Sequence, residues 1–134
     1  MASHFRILVV DDHPAFRHML RVFIELNPNW EVCGEASDGS EAVTRTTELN
    51  PDIVLMDLNM PTLNGFEATR RIHELSPKTR ILILTLHEFK SLSQIVQDSG
   101  ARGYVLKSEP FEVLTKAIES LGTSKKMFLS HRHE

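Results

Sequence analysis

Apolar residues along this chain fall into short unbroken runs separated by amphipathic stretches and polar punctuation. The first run, Ile7-Leu8-Val9-Val10, is continuous and β-branched, the pattern of a strand buried on both faces. Asp11-Asp12-His13-Pro14 ends it, and Pro14 suits the first turn of a helix. Phe16, Met19, Leu20 and Phe23 then recur at helical spacing until Asn27-Pro28-Asn29 breaks the pattern. The alternation repeats four more times. Strands are expected at 31–36, 53–56, 81–84 and 103–106, and helices at 40–49, 65–75 and 88–99. In the helix at 88–99, Leu92, Ile95 and Val96 face inward, and Gly100 stands where a helix C-terminal glycine belongs. Phe111, Leu114, Ile118 and Leu121 stripe a last helix. Strictly alternating strands and helices predict a parallel sheet covered by helices on both faces, with right-handed crossovers. The fold class is therefore α/β, a three-layer doubly wound parallel sheet of five strands. The flavodoxin-like order 2-1-3-4-5 is the leading topology.

The totals bound what such a sheet can do. At 134 residues the chain fits one domain with one core. With 41% hydrophobic and 25% charged residues it is ordinary for a globular protein, which argues against disorder. A formal net charge of −3 gives no reason to expect a polyanion partner for these residues. The single cysteine, Cys33, cannot form an internal disulfide, and its setting in Glu31-Val32-Cys33-Gly34 predicts a packed core residue. No run approaches the roughly 20 apolar residues that span a bilayer. The N-terminus runs into the first strand without a signal-peptide pattern, so a cytoplasmic location with no membrane partner is expected.

In an open sheet of this order, ligands bind outside the carboxyl ends of the strands, at the switch between strands 1 and 3. Strand 1 ends in Asp11 and Asp12, strand 3 in Asp57, strand 4 in Thr85 and strand 5 in Lys107. Each alone has an ordinary explanation, since Asp often follows strands, Thr often lies in them and Lys is usually solvated. Three carboxylates, a hydroxyl and an ammonium at the ends of four strands form a constellation that chance rarely assembles. Carboxylates crowded within a few Å raise one another's pKa unless compensated, and a hard divalent cation such as Mg²⁺ is the usual compensation. Lys107 neutralises part of what remains.

These residues carry a family resemblance. Ile7-Leu8-Val9-Val10-Asp11-Asp12, Asp57-Leu58-Asn59-Met60-Pro61, Gly65, Thr85 and Tyr104-Val105-Leu106-Lys107 resemble the receiver domain of two-component response regulators, CheY-like in fold, over residues 5–122. Asp11-Asp12-His13-Pro14, Gly34-Glu35-Ala36-Ser37-Asp38-Gly39 and Gly100-Ala101-Arg102-Gly103-Tyr104 are similar to the NarL/FixJ subfamily, which carries a LuxR-type helix-turn-helix output.

The resemblance implies a phosphorelay function, in which a sensor histidine kinase donates a phosphoryl group to Asp57. It implies Mg²⁺ ligation by Asp12 and Asp57 directly, by the backbone carbonyl of Asn59, and by Asp11 through metal-bound water. Lys107 would pair with Asp57 and then with the phosphoryl oxygens. Thr85 would move to meet the phosphoryl group, and Tyr104 would rotate inward to fill the space it leaves. The module would accept a phosphoryl group and lose it slowly to water, without being a turnover enzyme. A homodimer is a further expectation. Two positions depart from the common pattern. Bulky Leu86 follows Thr85, where it is expected to crowd the route to Asp57, and His87 either orders a water there or is a solvated loop residue. Ser108 stands where the family often has Pro after a cis peptide bond.

Residues 123–134 resemble the linker that precedes the output domain, and no output domain is expected within the chain, so DNA would be reached only through residues outside it. His131 and His133 there are a weak metal motif, and a disordered end is the expected reading. The main alternative is a stand-alone receiver, or a pseudo-receiver, acting by protein contact. A haloacid dehalogenase-like phosphatase needs an acid two residues after the nucleophile, where this chain has Asn59. A flavodoxin needs a phosphate-cradling loop after strand 1, where this chain has Asp11-Asp12.

Overall fold

The computed structural model describes residues 4–60, 64–123 and 128–129. Along them strands and helices alternate as the apolar pattern predicts: β1 Phe5–Val10, α1 Pro14–Ile24, β2 Trp30–Ala36, α2 Gly39–Leu49, β3 Ile53–Asp57, α3 Gly65–Leu75, β4 Arg80–Thr85, α4 Leu92–Ser99, β5 Gly103–Leu106, α5 Phe111–Thr123 and β6 Phe128–Leu129. All strand pairs are parallel, in the order β2-β1-β3-β4-β5-β6. The first five strands hold the expected 2-1-3-4-5 arrangement.

The unbroken apolar runs reflect two cores, one on each face of the sheet. Ile7, Val9, Ile53, Leu55, Leu82, Leu84 and Val105 pack under α1 and α5, against Leu20, Ile24, Leu114, Ala117, Ile118 and Leu121. Leu8, Val10, Val54, Met56, Ile81, Ile83, Tyr104 and Leu106 pack under α2, α3 and α4, against Ala42, Ala68, Ile72, Leu92 and Val96. Successive strand residues point to opposite faces, so a strand covered on both sides is apolar at every position. Each fully buried Leu or Ile contributes roughly 1.5–3 kcal/mol relative to exposure. Both cores reach the carboxyl ends of the strands, where Val10, Met56, Leu84 and Leu106 are buried.

Several expectations are corrected. Met19 follows the helical spacing of α1 but is 48% exposed, because Leu20 and Ile24 supply the buried stripe. Cys33 is half-buried rather than packed in the core. Ile7 pairs with Val32 and Leu8 with Gly34, which leaves Cys33 as the extra residue of a β-bulge. The fourth helix begins at Leu92, four residues later than its apolar spacing suggests, and residues 88–91 join the loop above β4. Among the described residues all peptide bonds are trans, including Lys107–Ser108. The segment after α5 is more than a tail: Phe128 and Leu129 pair with Gly103 and Tyr104 and add a short sixth strand at the β5 edge. The reading of His131 and His133 lies outside the described residues.

Candidate functional site

Strand register brings the chemistry to one edge. Val10 lies level with Met56, Asp57 with Leu84, and Thr85 with Leu106. The next residues along, Asp11 and Lys107, therefore meet Asp57 and Thr85 above the sheet. The backbone keeps them there: Asp11 N–H donates to the Ala36 carbonyl at 3.0 Å, and Lys107 N–H to the Thr85 carbonyl at 2.7 Å.

The loop after β3 is tied down by α3. Asn64 caps that helix by accepting from Glu67 N–H at 2.9 Å, and Gly65 N–H donates to the Leu58 carbonyl at 3.0 Å. A side chain at Gly65 would collide with the Asp57 carbonyl oxygen and come within 2.8 Å of Leu58 Cα. This position needs glycine because α3 starts directly against the acid-bearing end of β3.

Lys107 is the hub of the pocket. Its ammonium donates to Asp11 Oδ2 at 2.7 Å, lies 3.2 Å from Asp57 Oδ1, and sits 4.7 Å from the centroid of the Phe16 ring. The expected Lys107–Asp57 pair is present, but Asp11 is the closer partner. Asp57 is almost fully buried, and this burial pushes its pKa up. Repulsion from Asp11 adds to the rise, while the Lys107 ammonium and a hydrogen bond from the Asn59 backbone oppose it. Asp11 and Asp57 share this one ammonium, so the pocket carries more carboxylate than lysine charge.

Asp12 shows where compensation would enter. Its Oδ1 is buried and accepts no hydrogen bond. His13 Nδ1 is 3.0 Å away but out of line for one. The ring nitrogen pairs instead with Asp11 Oδ1 at 3.2 Å, an oxygen that also accepts from the His13 backbone N–H at 2.9 Å. Ligand atoms of Asp11, Asp12 and His13 lie within 4.8 Å of one another. An orphaned carboxylate oxygen beside two further carboxylates, with oxygen donors dominating, is the donor set of a hard divalent cation. The residues fit such an ion.

The remaining expected residues divide. Thr85 is buried at the site edge, and its hydroxyl is directed to the His87 carbonyl at 3.5 Å. Tyr104 is already turned inward, 3% exposed, and donates to Glu88 Oε2 at 2.8 Å. Burial and Glu88 together raise its pKa to about 12. Leu86 is 55% exposed and does not line the cleft beside the pocket. His87 does, with Leu58, Asn59, Asn64, Phe66, Thr85 and Phe89, around an open volume of about 340 Å³. The sequence reading missed Phe16, Glu88 and Phe89. Each reaches the site through tertiary packing that no local spacing encodes.

Fold and pocket together define a doubly wound α/β domain with an acidic, lysine-centred pocket at the β1/β3 switch point. The chain belongs to the response regulator receiver domain family, whose model matches residues 7–119. Over 117 residues it is 37% identical to the transcriptional regulatory protein DegU of Brevibacillus brevis, covering 87% of this chain and 50% of that protein. It is 36% identical over 127 residues to the nitrate/nitrite response regulator NarP of Escherichia coli K12, covering 95% of this chain and 59% of that protein. The chain thus spans about half the length of the curated relatives it matches. Among solved structures it is similar to a LuxR-family two-component response regulator from Aurantimonas sp. SI85-9A1, with a TM-score of 0.87 and 42% identity over 93% of this chain and 90% of that one. Among the described residues no helix is long and apolar enough to cross a membrane.

Proposed function

We propose that this receiver takes a phosphoryl group onto the carboxylate of Asp57 from a phosphohistidine on a sensor kinase. The observation that carries the reading is the shared ammonium: Lys107 bridges Asp11 and Asp57 beside the orphaned Asp12 oxygen. Phosphoryl transfer demands little covalent chemistry from a protein beyond positioning and stabilisation of charge on the equatorial oxygens. The Asp57 carboxylate attacks phosphorus, a P–O bond forms as the P–N bond to the imidazole breaks, and the leaving imidazole retains the bonding pair. Lys107 holds the attacking carboxylate and then donates to the phosphoryl oxygens. Mg²⁺, held by Asp11, Asp12, Asp57 and the Asn59 carbonyl, would supply charge neutralisation when bound.

Thr85 carries the change outward. Its hydroxyl leaves the His87 carbonyl and donates to the phosphoryl group, drawing the loop over residues 86–91 towards the site. A charge-assisted hydrogen bond of this kind contributes roughly 1.5–3 kcal/mol, which shifts a two-state equilibrium about ten- to a hundredfold. Tyr104 reads that loop through Glu88. Water later cleaves the acyl phosphate, so the module resets slowly and turns over no substrate. Residues 5–122 carry the receiver function, residues 123–134 serve as the linker towards the output, and the output is control of transcription by a DNA-binding domain, in the cytoplasm. A homodimer formed on phosphorylation would present that output as a pair.

The test is intact-mass measurement after incubation with a phosphorylated histidine kinase domain or a small acyl phosphate. One phosphoryl group should add in Mg²⁺ buffer, and none with a chelator or in Asp57→Asn. Equal uptake by Asp57→Asn would sink the reading.

A further inference from the structure

One stretch that marks the subfamily resemblance, Gly34-Glu35-Ala36, contains a residue with no part in the chemistry above. Glu35 lies on β2, outside the pocket. Its carboxylate takes a hydrogen bond from Arg17 Nε on one oxygen and from Arg21 Nε on the other, each at 2.9 Å. The Arg17 guanidinium is largely buried, and its Nη1 donates to the backbone carbonyl of Asp11 at 2.7 Å. The bulge at Cys33 makes this possible. Side chains alternate faces along a strand, so the extra residue shifts the alternation by one and turns Glu35 onto the α1 face. In an unbroken strand Glu35 would point towards α2.

The consequence falls on the acid pair. The two peptides that flank Asp11 are each gripped once: the Asp11 N–H by the Ala36 carbonyl and the Asp11 carbonyl by Arg17. That carbonyl belongs to the peptide plane joining Asp11 to Asp12. A planar peptide leaves only two soft dihedrals per residue, so fixing the plane fixes where both side chains start. The planar fork of Arg17 spans two acceptors at once, one on β2 and one on the β1–α1 turn. A lysine ammonium on a flexible stem cannot reproduce that geometry.

We propose that Arg17, seated by Glu35, is a positioning residue for the Asp11–Asp12 pair and sets the affinity of the pocket for a divalent cation. The proposal rests on the phosphoryl-acceptor reading. It also accounts for Arg21, which completes the Glu35 carboxylate without touching the pocket. The low pKa of Glu35 agrees: burial alone would raise it, and the two arginine hydrogen bonds outweigh that and lower it.

The experiment compares the full chain with Arg17→Lys, Arg17→Ala, Glu35→Gln and Arg21→Ala. Mg²⁺ affinity is read by isothermal titration calorimetry, alongside the thermal midpoint and the Mg²⁺ dependence of phosphorylation by a small acyl phosphate. Loss of a group that orients metal ligands weakens binding about 10–100-fold. Arg17→Lys should show such a loss at a thermal midpoint near that of wild type, and saturating Mg²⁺ should restore its phosphorylation rate. Glu35→Gln should show a smaller loss in the same direction. Arg21→Ala should bind Mg²⁺ as wild type does. Wild-type Mg²⁺ affinity in Arg17→Lys overturns the proposal, even if Arg17→Ala proves too unstable to measure. An Arg21→Ala loss as large as that of Arg17→Lys also overturns it, since the effect would then belong to α1 as a whole. A wild-type chain that binds no Mg²⁺ overturns the phosphoryl-acceptor reading itself, a distinguishable result.

Discussion

At the scale of single residues, the pocket holds a charge that the fold would rather not carry. Asp57 has its pKa pushed up by burial and by Asp11. An acid whose pKa is raised on folding binds its proton more tightly in the folded state. Its stabilising contribution is therefore complete below the ordinary carboxylate range and is lost as pH rises through the raised value. In metal-free buffer at neutral pH, Asp57→Asn should raise folding stability by on the order of 1 kcal/mol, the usual size of a single-residue effect. Chemical denaturation would measure it. Tyr104 gives a second prediction, because it is the only tyrosine in the chain. A titration of the tyrosinate band in the ultraviolet should have its midpoint near 12 rather than at the ordinary 10.0, and Glu88→Gln should lower it. The sign is again that of a raised acid: stability is full below 10 and falls as pH approaches 12. Asp11, Asp12, Asp57, Thr85 and Lys107 were legible in the sequence because each directly follows or ends an apolar run, and parallel strands end at one edge. The closeness of Lys107 to Asp11, the Glu88 partner of Tyr104 and the outward setting of Leu86 were not, because side-chain pairing across 16 or 96 residues leaves no local pattern.

At the scale of elements, the sequence reading succeeded where apolar runs were long and punctuated. It slipped where capping or pairing decides. α4 starts at Leu92 because residues 88–91 are drawn into the loop above β4, where Glu88 meets Tyr104. The bulge at Cys33 was illegible because one inserted residue is invisible in an apolar alternation only seven residues long. The start of α2 was legible in part. Asp38 accepts from Glu41 N–H at 2.8 Å, and Glu41 reaches back to Ser37 N–H at 2.8 Å, a reciprocal cap close to the usual box. Asp38→Ala should cost about 1 kcal/mol, seen as a lower denaturation midpoint at unchanged m-value. Gly65→Ala is a harsher test, since the added Cβ meets the backbone of β3 rather than a movable side chain. It should destabilise the fold by about 2 kcal/mol or more and weaken phosphorylation beyond what the stability loss explains. Denaturation and phosphorylation kinetics on one preparation would separate the two effects.

At the scale of the whole molecule, two packed cores hold the strand ends, and the proposed change falls on the loops above them. The sheet places Asp57 between its two fixed neighbours β1 and β4, and β5 lies beyond β4 with Tyr104 beneath α4. The movement proposed for Thr85 would therefore reach Tyr104 through adjacent structure, and β6 pairs with the same stretch of β5. A ligand that binds only the folded state stabilises it by mass action, by about 2.7 kcal/mol at a hundredfold excess over its dissociation constant. Mg²⁺ should accordingly raise the thermal midpoint of the wild-type chain, and Asp12→Asn should blunt that rise. The most direct measurement locates the phosphoryl group itself. An acyl phosphate on an aspartate is reduced by borohydride to homoserine, which peptide sequencing by mass spectrometry identifies. Homoserine at position 57, dependent on Mg²⁺ and on the phosphodonor, is the expected result. A phosphorylated chain with unmodified Asp57, or with homoserine at another aspartate, would contradict the account.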